Sequence, residues 1–274
     1  MTLDHTHQSQ ARSWVASANG HPEFPIQNLP LCRYAGAAGA TRVGVGIGDS
    51  VLDLTALSRE GGLPTAAKAA LAPVAAGQLD ALMAAGDQAS QVLRLAVFEL
   101  LEETTAAAHR AAIEPHLSPV SQAQLLLPCR PPNFSDFYSS IHHAVNIGSL
   151  VRPDNPLLPN YRWLPVGYHG RTSSILPSGQ DFLRPWGQLV VPSSDPEMAP
   201  SRRLDYEAEL GFLVGRPNPL GQPIALGDAQ RHVFGVSLLN DWSARDIQPW
   251  EYQPLGPFLS KNFASTVSPW VVTL

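Results

Sequence analysis

The sequence predicts an α+β chain rich in β-structure: a small strand-built unit with appended helices, followed by a larger β-rich unit. Three observations carry this reading. The 274 residues include 26 prolines and 21 glycines, a density that favours turns and short strands over long helices. An alternating segment early in the chain has the pattern of a hairpin. An alanine- and leucine-rich stretch from 64 to 114 has helical spacing, and the texture changes again after it. Hydrophobic residues make up 44% of the chain, enough to bury a core. The charged share of only 15% argues against disorder.

In chain order, residues 1–21 read as a disordered lead, because Met1 to Gln10 is polar and carries His5 and His7. Pro22, Pro25 and Pro30 punctuate the next stretch. Val43, Val45 and Ile47 alternate at period two, Gly48-Asp49 makes a turn, and Val51-Leu52-Asp53-Leu54 returns, which is a hairpin signal. The glycines at 44, 46 and 48 have the look of a phosphate loop but lack the helix and lysine that one requires. Val92, Leu93, Leu95, Ala96, Leu100 and Leu101 recur with helical spacing. The spacing predicts one helix over 88–113, capped by Asp87, with a broken helix before it around Pro73 and Gly77. Pro115, Pro119 and Pro128 end the helical stretch, which divides the chain into units 22–120 and 121–274.

Several function classes are excluded by composition. A formal charge of −5 gives no general basic footprint for nucleic acid or anionic membrane. Two cysteines, Cys32 and Cys129, support neither a disulfide framework nor a zinc knuckle. No apolar run reaches the length of a membrane span, and the first residues lack the pattern of a secretory signal. The expectation is a cytoplasmic protein.

Polar chemistry is concentrated in four clusters: 136–144, 166–171, 205–209 and 240–246, the last continuing to Gln248, Tyr252 and Lys261. Asp205-Tyr206-Glu207-Ala208-Glu209 enters an apolar strand, and residues two apart on a strand share a face. Glu207 and Glu209 therefore point the same way, and two such carboxylates repel unless a cation lies between them. A hard divalent cation held by oxygen ligands satisfies them; a solvated acidic edge is the alternative. Asp241 follows the apolar run Phe234–Leu239, either as a loop carboxylate with a chemical task or as an ordinary helix cap. His143 is a candidate general base or a hydrogen-bonded structural residue, and His142 and His169 are open to the same two readings. Arg152, Arg171 and Arg245 are candidate carboxylate clamps or plain surface residues.

Together these clusters resemble the fumarylacetoacetase family. The strings that carry the resemblance are DFYSS, HHA and VN within 136–148, LPVGYHGR at 164–171, LDYEAELGFLVG at 204–215 and NDWSARDIQPWEYQPLGPFLSKNF at 240–263. FPIQNLP at 24–30 and VGVGIGDSVLDL at 43–54 are similar to that family's N-terminal domain. The resemblance implies an SH3-like β-barrel with helices at the N-terminus and a mixed β-roll after it. It implies metal-dependent hydrolysis of the carbon–carbon bond of a β-diketo acid, 4-fumarylacetoacetate, at the end of tyrosine and phenylalanine degradation. A related oxo-acid decarboxylase or hydratase, or a non-catalytic fragment, is the alternative.

Carried over position by position, the resemblance makes Asp136, Glu207, Glu209 and Asp241 the ligands of Ca²⁺ or Mg²⁺, with Lys261 and Ser265 in the metal neighbourhood. Ser265 stands where the family usually has threonine. His143 matches the base that activates water. Arg245, Gln248 and Lys261 match groups that stabilise negative charge, and Tyr138, Arg152, Tyr168, Gln248 and Tyr252 match substrate contacts. The family's second domain runs on past the position of Leu274 and includes the glutamate behind the histidine. The expectation is therefore an incomplete second domain, weak or absent activity, and a compromised form of the family's homodimer.

Overall fold

The computed structural model describes residues 3–36 and 39–274. The first half contributes β1 (Leu31–Ala35), β2 (Thr41–Ile47), β3 (Ser50–Asp53), α1 (Leu54–Leu57), α2 (Thr65–Leu71), α3 (Asp80–Ala85), α4 (Asp87–Leu101), α5 (Ala107–Ile113), β4 (Leu117–Pro119) and β5 (Gln124–Leu126). The second half contributes β6 (Ser135–Phe137), α6 (Ile141–Val151), β7 (Gly167–His169), β8 (Ile175–Pro177), β9 (Trp186–Leu189), β10 (Glu197–Pro200) and β11 (Leu204–Asp205). It continues with β12 (Ala208–Val214), β13 (Val233–Asp241), β14 (Ser243–Ala244), α7 (Gln248–Glu251), β15 (Ser265–Val267) and β16 (Trp270–Thr273). No helix among the described residues is long and apolar enough to cross a membrane.

The expected hairpin is β2–β3, with Ile47 opposite Ser50 across Gly48-Asp49. Val43, Val45 and Ile47 face the main core, where they meet Leu54, Leu57, Leu71, Leu82 and Leu93. The glycines between them belong to packing, not phosphate binding. A Cβ on Gly44 would lie 2.4 Å from Val51 Cγ1, and one on Gly46 would lie 2.9 Å from the Phe24 ring.

Two expectations about the first half are corrected. Residues 3–21 are not a disordered lead; they pack along α4. The Ser13 hydroxyl donates to the Leu101 carbonyl at 2.6 Å and the Trp14 indole to the Leu100 carbonyl at 2.9 Å. These are carbonyls that a helix end leaves without intrahelical partners. Arg94 of α4 donates to Thr6, Gln27 and Asn28. The single helix expected over 88–113 is accordingly two, α4 and α5. Ser13 bridges Glu102, Glu103 N–H bonds the Arg12 carbonyl, and the Thr105 hydroxyl takes the Glu99 and Glu102 carbonyls. The polar lead fills the hydrogen-bonding positions that another helical turn would have used.

A ten-stranded mixed sheet runs β4-β3-β2-β1-β16-β13-β15-β8, with β5 on β1 and β12 on β13. All its ladders are antiparallel except β15–β8. Leu31 of β1 faces Val271 of β16, so the last strand of the chain joins the two halves. β5, past the division expected at 120, still pairs with β1. The fold is α+β and β-rich. Its three-strand row β12-β13-β15 positions the polar site.

Candidate metal centre and active site

The β12–β13 ladder, which pairs Ala208 with Asn240, and the β11–β14 ladder, which pairs Asp205 with Ser243, set Glu207 between them opposite Asp241, whose N–H it accepts. On the far side of β13, Asp241 is paired with Ser265. Glu207, Asp241 and Ser265 thus form one row across neighbouring strands, and Asp241 ends β13 as a paired residue instead of capping a helix. Like charges directly opposite one another destabilise a sheet. The repulsion is relieved by Lys261, whose Nζ lies 2.8 Å from Glu207 and 2.9 Å from Asp241.

Asp241 is buried, and every polar neighbour is used. Ser265 donates to its Oδ1 at 2.6 Å, Lys261 to Oδ2, and the Tyr168 phenol to Oδ2 at 3.1 Å. Glu207 accepts from the Ser243 hydroxyl and from Arg245, each at 2.9 Å. The Arg245 fork is filled on its other edges by Asp205 and by the Gln248 side-chain carbonyl. Tyr168 sits on β7 opposite Asp136 of β6, which brings the third carboxylate in. One oxygen each from Asp136, Glu207 and Asp241 lies within 4.8 Å of the others.

The electrostatics record a surplus of negative charge. Burial, reinforced by Asp241, pushes Asp136 above its ordinary value. Burial and the carboxylates of Asp136, Asp241 and Glu207 push Glu209 up to about 7. Burial also pushes Glu207 upward, but Lys261, Ser243 and Arg245 outweigh it and hold that carboxyl below its ordinary value. Tyr168 is raised by burial and by the two aspartates it faces. Lys261 and Arg245 leave part of this charge unbalanced. An all-oxygen donor set with excess negative charge suits a hard divalent cation.

The described geometry does not draw all the expected residues into one place. Glu209 shares the strand face of Glu207 but is not among the three converging carboxylates. His143 lies on α6, which is capped by Ser140. Its ring stands edge-on to Tyr138 at 5.3 Å and has no hydrogen-bond partner among the described residues. Arg152 donates to the Pro156 carbonyl, 3.3 Å away. Arg171 is not a carboxylate clamp here: it binds the Ser173 and Ser174 hydroxyls and the Asn262 carbonyl. Gln248 opens α7, and Tyr252 follows it, half-exposed.

"Fumarylacetoacetate (FAA) hydrolase C-terminal" matches residues 133–274, and "Fumarylacetoacetase N-terminal" matches residues 27–128. The chain belongs to the fumarylacetoacetase family. It is 45% identical over 258 residues to the fumarylacetoacetase of Caenorhabditis elegans, covering 92% of this chain and 62% of that protein. It is 42% identical to that of Oryza sativa subsp. japonica, with 97% and 64% covered, and 42% identical to that of Rattus norvegicus, with 92% and 61% covered. The chain therefore spans less than two thirds of the length of these curated relatives.

Two residues of this fumarylacetoacetase-family site have no role in the sequence reading, Asp205 and Ser243, and Asp246 lies outside it, next in the chain to Arg245. Asp205 clamps Arg245, and Ser243 donates to Glu207. Asp246 accepts from the Ser201 hydroxyl and the Arg202 N–H, each at 2.6 Å. Period two could have flagged Asp205, which shares the face of Glu207. Nothing in the sequence pairs Ser243 with that face before the β11–β14 register is known.

Proposed function

We propose that this chain carries the active site of a metal-dependent hydrolase that cleaves the carbon–carbon bond of 4-fumarylacetoacetate into fumarate and acetoacetate. The observation that supports this most is the cross-strand pair Glu207–Asp241, bridged by Lys261 and approached by Asp136, in a chain of this family. Asp136, Glu207, Glu209 and Asp241 would hold Ca²⁺ or Mg²⁺, with Ser265 fixing Asp241. A bound divalent ion supplies Lewis acidity toward the diketone oxygens and the enolate leaving group.

The chain's own residues do the rest. His143 takes a proton from water on a ring nitrogen that no described residue occupies. Tyr138 and Arg152 hold the substrate carboxylate, and Tyr168 and Tyr252 orient the diketone. Arg245, Gln248 and Lys261 are donors held in advance for the developing oxyanion. The Gln248 carbonyl is turned toward Arg245, which leaves its amide N–H groups for substrate. The N-terminal strands, where β1 pairs with both β2 and β5, are read as an SH3-like barrel, with the division from the β-roll unit near 120. A cytoplasmic location and a homodimer belong to the same reading.

The test incubates the protein with fumarylacetoacetate and Ca²⁺ or Mg²⁺ and follows loss of the diketone absorbance and the products formed. Equal amounts of fumarate and acetoacetate are expected. Released CO₂ in their place would replace this reading with an oxo-acid decarboxylase.

A further inference from the structure

Lys261 holds the centre of the site, and the turn that carries it is bonded to a carboxylate outside the site. Glu251, the last residue of α7, accepts three backbone N–H groups from the returning chain. Phe258 donates at 2.9 Å and Ser260 at 2.7 Å to one oxygen, and Leu259 donates at 3.2 Å to the other. These are the first N–H groups of a single helical turn, in which Lys261 N and Asn262 N both bond the Phe258 carbonyl. The first N–H groups of such a turn have no partner within it, and a charged acceptor satisfies them more strongly than a neutral one. Lys261 rides on that turn, with its Nζ between Glu207 and Asp241.

The turn is fixed on its other sides as well. Ala244 N–H of β14 donates to the Ser260 carbonyl, and Arg171 donates to the Asn262 carbonyl. Glu251 is the only one of these anchors that is a charged acceptor for the start of the turn. Its helix also carries Gln248, three residues earlier and so on the same helical face, which accepts from Arg245. One short helix thus links both cations that neutralise Glu207, Arg245 through Gln248 and Lys261 through Glu251.

We propose that Glu251 is a positioning residue that fixes Lys261 between Glu207 and Asp241. The inference rests on the metal-site reading for its functional meaning, but its geometry does not require a bound ion. The sequence contains two lysines, Lys68 and Lys261. Lys68 is on α2, with its ammonium donating to the Gly61 carbonyl at an exposed position. An amine-acylating reagent followed by peptide mass spectrometry therefore compares the buried ammonium with an internal reference.

The variants are Glu251→Gln, which turns one acceptor into a donor facing Leu259 N–H, and Glu251→Ala. Phe234→Leu serves as a control that lowers stability without touching the turn. Acylation of Lys261 should speed up by about tenfold or more in the Glu251 variants, the size expected when bonds to a charged acceptor are lost. Lys68 should not change, and Phe234→Leu should leave Lys261 slow. An unchanged Lys261 rate in Glu251→Gln, or an equal rise in Phe234→Leu, overturns the proposal. Calorimetry with Ca²⁺ or Mg²⁺ then reads the coupling. Lys261→Met should change the metal Kd, Glu251→Gln should change it in the same direction, and the double variant should add little. Additive shifts count against Glu251 acting through Lys261. Absence of metal binding in every variant would sink the metal-site reading while leaving the acylation result to decide the positioning role.

Discussion

Lys261 is the residue that balances the paired carboxylates Glu207 and Asp241. It is 7% exposed, and its two partners face each other in register. Removing one member of a buried ion cluster leaves uncompensated charge and costs about 3–5 kcal/mol in fully buried cases. Glu207 is partly exposed, so Lys261→Met should cost somewhat less, about 2–4 kcal/mol in urea unfolding with chelator present. Added Ca²⁺ or Mg²⁺ should recover part of that loss if the carboxylates hold the ion. The pH response follows from opposing shifts. Glu207 sits below its ordinary 4.5, so its contribution is present above that pH and is lost as pH falls through its folded value. Glu209 rises from 4.5 to about 7, so between those values the folded state binds more protons than the unfolded state. Stability should therefore fall as pH rises through that window, and Asp136 adds to the same slope. Melting temperatures in chelator should show this decline, and Glu209→Gln should flatten most of it. A melting temperature that climbs from pH 5 to 7.5 would contradict the placement of Glu209 near the cluster.

The elements around that residue differ in how well the sequence exposes them. The β2–β3 hairpin is legible because both its signals are local: alternation at Val43, Val45 and Ile47, and Gly48 in a positive-φ turn at 54°. The break between α4 and α5 is not legible, because its cause is the distant segment around Ser13. Leu100 and Leu101 continue the apolar stripe, and nothing beside them announces that their carbonyls are taken by the lead. Ser13→Ala should expose that dependence. It leaves the Leu101 carbonyl with the Trp14 N–H alone and removes the acceptor for the buried Val15 N–H, which should cost about 1–3 kcal/mol by denaturant unfolding. A loss below the error of the measurement would mean the lead does not hold the helix end. The site shows the same division. Asp136, Glu207 and Asp241 are visible as strings, and Asp205 shares their period-two pattern, whereas Ser243 and Glu251 acquire meaning only from the β11–β14 register and from the turn that returns to α7.

At the scale of the whole molecule, the least legible feature is the junction of the halves, since Leu31 meets Val271 from opposite ends of the chain. That pairing makes β13 a central strand whose partners β12 and β15 carry the site. It also fixes which side of β12 faces inward. Leu213 packs against the main core and Glu209 lies toward the acidic cluster. The opposite side of β12 presents Leu210, Phe212 and Val214 at 59%, 60% and 64% exposure, beside Leu238 of β13 at 67%. A contiguous apolar stripe of this kind is unusual on a soluble surface, and period two places it on the face opposite Glu209. The stripe should bind a hydrophobic dye. Phe212→Ser combined with Leu238→Ser should lower the dye signal severalfold while changing stability little, because neither side chain loses burial. The same pair of changes should leave Ca²⁺ or Mg²⁺ affinity intact, since the substituted side chains point away from Glu207 and Asp241. Unaltered dye binding would mean that the stripe is covered in solution, and a lost metal affinity would mean that the two faces of β12 are not independent.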